Sequence, residues 1–153
     1  MAAGKYLVYV TIILIFAVFI SGAYLTGSGF GAACGVGGTS LNSNDWPYCN
    51  GSLGFPSNWP AQVEYTHRLL SVVATVLLVA SNVVVWGMKP RPNAAARALL
   101  LALVLLLLEV YLGGVVINAN LNAVLGTISL ATATTVFGVL VVAGDRMHLH
   151  EKR

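Results

Sequence analysis

Four long apolar runs, separated by short polar breaks and one long polar loop, organise this chain. The first, Tyr6 to Leu25, contains no charged residue. The second runs from about Ala61 to Met88, with charge only in its first turns. The third covers about Ala98 to Ile117 and is interrupted by Glu109, and the fourth covers about Ala123 to Gly144. A run of about 20 apolar residues matches the roughly 30 Å hydrocarbon core of a bilayer. Such runs must be helical, because hydrocarbon offers no partner to unpaired backbone groups. The pattern therefore predicts an all-α membrane protein, a single four-helix transmembrane bundle over residues 1–153. Its helices are expected at about 6–26, 61–88, 98–117 and 123–144, with a long loop at 27–60. The first run reads as a retained helix. It is too long for the apolar stretch of a signal peptide, and Ser21-Gly22-Ala23 only faintly imitates a cleavage site.

Composition agrees with this division. Of the 153 residues 58% are hydrophobic and 8% charged, where soluble domains carry about a quarter charged. The basic residues fix an orientation. Lys5 precedes the first helix, Lys89, Arg91 and Arg97 fill the second connection, and Arg146, Lys152 and Arg153 follow the last. The 27–60 loop and the Asn118–Asn122 turn contain no Lys or Arg. The expectation is a multi-pass protein of the cell membrane with both chain ends in the cytoplasm and the 27–60 loop outside. The net positive charge is thus topological, and no basic patch interleaved with aromatics points to nucleic acid.

The outer loop is rich in Gly, Asn, Ser and Pro, so turns should dominate it. It holds both cysteines, Cys34 and Cys49. Their place on the oxidising face suggests a disulfide, and a staple closing a loop of that size would contribute about 3 kcal/mol. A redox-active pair, without a C-x-x-C spacing, and two free thiols are the other readings. Trp46, Tyr48 and Trp59 are expected at headgroup level.

Residues able to do chemistry are few. Glu64-Tyr65-Thr66-His67-Arg68 opens the second helix. Glu64 and His67, three apart, share a helix face, and His67 lies about 9 Å beyond a helix end near Ala61. An imidazole at that depth either ligates a metal through one nitrogen while a partner holds the other, or hydrogen-bonds a neighbouring helix. Arg68 either snorkels to the outer headgroups or binds a carboxylate. Glu109 sits mid-helix, about 18 Å from the cytoplasmic end, where a carboxylate costs several kcal/mol unless neutral or paired. It is either a proton-relay group or a protonated packing residue. Gly113 and Gly114 permit close approach of a helix or of a flat cofactor. His148 and His150 belong to the polar tail 145–153, expected to be solvated and on the opposite side of the membrane from His67.

Taken in order, Tyr24-Leu25-Thr26-Gly27-Ser28-Gly29-Phe30, Cys34, Asp45-Trp46-Pro47-Tyr48-Cys49-Asn50-Gly51 and Glu64-Tyr65-Thr66-His67-Arg68 resemble the heme A synthase family. Leu112-Gly113-Gly114 resembles the family's third helix. The resemblance implies a heme-binding four-helix bundle that oxidises a methyl group of heme O to a formyl group, giving heme A. It makes His67 a heme iron ligand, Glu64 the catalytic carboxylate near the reacting methyl, Arg68 a partner of a heme propionate, and Cys34 and Cys49 the loop disulfide. Heme O is then the substrate, with heme b as a further cofactor.

Family members usually carry two such bundles, so a homodimer is the natural way for this single bundle to restore two. Membrane lipid, a heme O synthase and a terminal oxidase are the other partners implied. This sequence departs from the family in helix four, where Leu125-Gly126-Thr127-Ile128-Ser129-Leu130 holds no histidine, and in carrying Glu109 where Gln is common. The alternatives are a non-catalytic membrane protein that carries heme or electrons through His67, and, more distantly, a thiol–disulfide oxidoreductase.

Overall fold

The computed structural model describes residues 2–35, 48–49 and 51–151. Four helices account for most of them: α1 Ala2–Ser28, α2 Trp59–Gly87, α3 Asn93–Asn118 and α4 Ala123–Glu151. Each is long and apolar enough to cross a membrane, and among the described residues there is no β-strand. The helices pack in a ring in which α1 touches α2 and α4, and α3 touches α2 and α4.

Helix ends lie beyond the apolar runs, for local reasons. At the start of α2 the Asn58 side chain accepts the Ala61 N–H at 2.9 Å, and Pro60 fills the first turn, a position where its missing N–H costs nothing. Three consecutive alanines, Ala94 to Ala96, carry α3 back to Asn93, Ala being the strongest helix former. The largest difference is in α4, which continues to Glu151 instead of giving way to a polar tail near Gly144. Met147 keeps this extension on the buried face, at 3% exposure. His150 Nε2 lies 3.3 Å from the Pro90 carbonyl, and Lys5 pairs with Glu151. His148 and His150 are therefore half-buried in the last helical turn and not on a solvated tail.

These contacts gather the start of α1, the α2–α3 connection and the end of α4 at one end of the bundle. Lys5, Lys89, Arg91, Arg97 and Arg146 are all at that end, and Arg91 lies over the Trp86 ring at 4.9 Å. At the other end are the α1–α2 loop, with a 3-10 turn over Phe30–Ala32, and the tight α3–α4 turn. In that turn Leu121 adopts φ 57°, an uncommon conformation for a branched residue. Its side chain packs over Gly31, where an added Cβ would come within 3.2 Å of it.

The inward stripes have coiled-coil spacing. Val8, Thr11, Ile15, Val18, Gly22 and Leu25 follow one another by three or four residues in α1. Leu99, Ala102, Leu106, Glu109, Gly113 and Val116 do so in α3. Gly126, Ser129, Ala133, Val136, Leu140 and Ala143 do so in α4. At the basic end these stripes are filled by Val8, Leu78, Val85, Leu99, Leu140 and neighbours, which form one continuous core. Polar bonds bolt the helices together there. The Thr11 hydroxyl donates to Leu7 O and lies 3.0 Å from Ser81 Oγ, and Asn82 Nδ2 donates to Leu99 O at 3.2 Å. Interhelical bonds of this kind contribute about 0.6 kcal/mol each in a membrane. Toward the opposite end the stripes turn to glycine, serine and charged residues, which cannot fill the interior.

Candidate functional site

The volume left by that change of residue type is a cavity of about 410 Å³ between all four helices, within the range that holds small organic ligands. Its walls are mainly apolar, with Glu64, His67, Arg68, Ser71, Glu109 and Ser129 among the polar groups. The ionisable groups singled out in the sequence, Glu64, His67 and Arg68 on α2 and Glu109 on α3, thus share one chamber.

His67 is positioned from α1. Its Nδ1 lies 2.8 Å from Ser21 Oγ, and the Ser21 hydroxyl donates to Val18 O at 2.9 Å. With that hydroxyl proton committed to the carbonyl, Ser21 accepts from Nδ1–H. Nε2 is then the ring nitrogen left for a ligand, the arrangement in which one nitrogen of a metal-binding histidine is held by a partner and the other meets the metal. Gly22 makes the approach feasible, since a Cβ there would sit 3.1 Å from His67 Cε1.

Glu64 is 2% exposed and Arg68 6%. Glu64 Oε1 accepts from Arg68 Nε at 3.1 Å and from Nη2 at 2.6 Å. Its Oε2 accepts the Cys34 N–H at 2.7 Å, and Arg68 Nη1 donates to Tyr48 O at 2.7 Å. Cys34 and Cys49 form a disulfide. The pair therefore grips both ends of the disulfide-closed loop, Glu64 beside Cys34 and Arg68 beside Cys49. Both side chains also line the cavity. Tyr65, on the other side of α2, donates to Leu53 O at 2.8 Å and secures the rest of the loop. Tyr48 and Trp59 are exposed at this end of the bundle. Trp46, Asp45, Pro47 and Asn50 lie outside the described residues.

On the α3–α4 side the Ser129 hydroxyl donates to Glu109 Oε1 at 2.5 Å. Glu109 Oε2 is shielded from solvent and has no partner among the described residues. Gly113, one turn further along α3, lines the cavity, and a Cβ there would meet nothing within 4 Å. Open space, not a packed helix, lies over it.

Sequence reasoning missed Ser21 and Ser129, the two hydroxyls that orient the ionisable groups. Each was visible only as a polar residue inside an apolar run. His148 and His150 lie at the opposite end from the cavity, as expected. Among the described residues no three His, Cys, Asp or Glu side chains converge as a metal-binding set.

The chain resembles proteins named heme A synthase. It is 30% identical to that of Bacillus pumilus (strain SAFR-032) over 123 residues, which are 79% of this chain and 37% of the relative. It is 29% identical to that of an Exiguobacterium species over 141 residues, 86% of this chain and 43% of the relative. It is also 33% identical to Protoheme IX farnesyltransferase 1 of Natronomonas pharaonis over 122 residues, 78% of this chain and 24% of that protein. The chain thus spans less than half the length of these curated relatives. No solved structure matches it. The family model described as cytochrome oxidase assembly protein matches residues 1–141, and with four membrane-crossing helices around one cavity the chain belongs to this COX15-CtaA family.

Proposed function

We propose that this multi-pass membrane protein is a heme A synthase-like oxidoreductase that holds heme through His67 and converts the methyl group of heme O to a formyl group. The observation that carries the reading is a histidine that lines a mainly apolar cavity with its Nδ1 held by Ser21. The residues present fit the group. One imidazole suffices where a macrocycle supplies the other donors, the walls are apolar, and the open space over Gly113 leaves room for a flat ring. The bound iron porphyrin would supply the redox chemistry, a four-electron oxidation overall (R–CH3 + H2O → R–CHO + 4 H+ + 4 e−) that requires an external electron acceptor as co-substrate.

The chain's own residues bind and orient. Ser21 and Gly22 hold the ring of His67, Glu64 and Arg68 close the cavity beneath the loop, and the basic end of the bundle faces the cytoplasm. Similarity to a protoheme IX farnesyltransferase supports a farnesylated heme as substrate and a heme O synthase as its supplier. A second copy of the chain would restore the two bundles usual in the family.

A second reading, a heme carrier without methyl oxidation, is favoured by one observation. Both oxygens of Glu64 are already engaged, by Cys34 and Arg68, which leaves the proposed catalytic carboxylate as a brace. Co-expression with a heme O source, followed by heme extraction and mass analysis, separates the two. Heme A or its hydroxylated intermediate, formed by the intact protein and not by Glu64→Gln or His67→Ala, supports the synthase. Heme b alone, with heme O untouched by a folded protein, leaves the carrier.

A further inference from the structure

Glu109 and Ser129 form a second polar wall in the cavity, and its placement relative to His67 is specific. His67 leans on α1, so it belongs to the α1–α2 seam. Glu109 and Ser129 join α3 to α4. In a ring where α1 contacts α2 and α3 contacts α4, these two seams face each other.

Their depths also agree. At 1.5 Å per residue, His67 lies about 12 Å from the outer end of α2 at Trp59, and Glu109 about 13 Å from the outer end of α3 at Asn118. Ser129 lies about 9 Å from the start of α4. The imidazole and the carboxylate thus lie at similar distances from the outer helix ends and line the same cavity from different seams.

A buried carboxylate that serves only packing should have both oxygens satisfied, because an orphaned charged oxygen is costly. Here Ser129 fixes Oε1, while Oε2 is dehydrated and without a partner among the described residues. The site is built to present an oxygen donor, and it does so in the cavity that the proposed iron ligand also lines.

We propose that Glu109, braced by Ser129, would offer its unpartnered oxygen as a donor to an iron porphyrin that His67 also holds, an imidazole and a carboxylate serving where two imidazoles would otherwise be expected. The assignment rests on the heme reading above. It has a chemical rationale: carboxylate is a hard, weak-field donor, and axial-ligand identity is the main protein lever on heme potential and spin state.

The test uses the full chain loaded with ferric heme b in detergent, read by absorption and electron paramagnetic resonance. The wild type is expected to be high-spin. Glu109→Gln, nearly isosteric, should keep its heme, change the ferric spectrum and bind azide more tightly, because the carboxylate no longer competes for the iron. Glu109→His should convert the iron to a low-spin two-imidazole form. Ser129→Ala should shift the spectrum in the direction of Glu109→Gln, and it decides the matter if the Glu109 variants fold poorly.

A low-spin two-imidazole spectrum in the wild type would overturn the assignment. So would unchanged spectra and azide affinity in well-folded Glu109 or Ser129 variants. His67→Ala separates the two levels. Loss of heme there with silent Glu109 variants defeats only this assignment, whereas full heme retention by His67→Ala defeats the heme reading and this assignment with it.

Discussion

Glu64, on the second turn of α2, accepts the backbone N–H of Cys34 from thirty residues earlier in the chain, at 2.7 Å. Its other oxygen takes two bonds from Arg68, which in turn donates to the carbonyl of Tyr48, next to Cys49. The ion pair thereby clamps both sides of the disulfide corner to one turn of helix. His67 lies within that same turn, between the two charged residues. The position of the outer loop and the pose of the imidazole are consequently set by the same few residues.

Glu64→Ala should destabilise the protein severely. It strips Arg68 of its carboxylate in a buried site and leaves the Cys34 N–H unbonded, a change expected to cost about 3–5 kcal/mol. Thermal unfolding of the apo-protein in detergent should show a large drop. Glu64→Gln, which keeps an acceptor for Cys34, should lose less. An unchanged melting curve for Glu64→Ala would show that the clamp does not hold the loop.

The disulfide should act as a staple. Cys34 and Cys49 are separated by 15 residues, and opening a loop of that size releases about 3 kcal/mol of constraint on the unfolded chain. Adding reductant, or the double change Cys34→Ser with Cys49→Ser, should lower the melting temperature without removing bound heme. Loss of a thiol-dependent electron-transfer activity, with stability intact, would instead support the redox reading of the pair.

Helices were legible because a bilayer demands unbroken apolar stretches, and the four runs mark them directly. Their rotation was not. With apolar side chains on nearly every face, nothing in the α3 run showed that Glu109 turns inward to the chamber that holds His67. That fact emerges from the three-four spacing of small and polar residues shared with α1 and α4. The Glu64 element was legible as a place and less so as a partnership. Spacing paired Glu64 with His67 on one face, whereas the folded chain gives its carboxylate to Arg68 and Cys34. The α4 extension escaped notice because its charges interrupt the apolar run, although Met147 continues the buried stripe past them.

Ser21 should control the affinity of His67 for iron. Ser21→Ala removes the acceptor at Nδ1 and frees the ring to rotate. Loss of such a supporting hydrogen bond typically lowers metal affinity 10–100-fold. Gly22→Val should act on the same ring by a different route, since even a single Cβ at this position would sit 3.1 Å from His67 Cε1. Heme titration of the apo-protein, followed by absorbance, measures both. Wild-type affinity in both variants would mean that α1 does not position the imidazole.

Gly113 offers the sharpest separation of fold from function. A Cβ at this position meets nothing within 4 Å and Gly113 lines the cavity, so the side chain of Gly113→Phe starts in open space. Phe is also a better helix former than Gly, by roughly a few tenths of a kcal/mol. Apo-protein stability should therefore hold or rise. A bulky ring in the chamber, however, competes with any flat occupant, and heme affinity should fall by at least tenfold, about 1.4 kcal/mol. Stability and binding move in opposite directions only if the space over Gly113 belongs to the ligand. If Gly113→Phe binds heme as the wild type does, the ring plane lies elsewhere. If it instead fails to fold, the open space beside α3 is filled in the membrane by lipid or by a second protein chain.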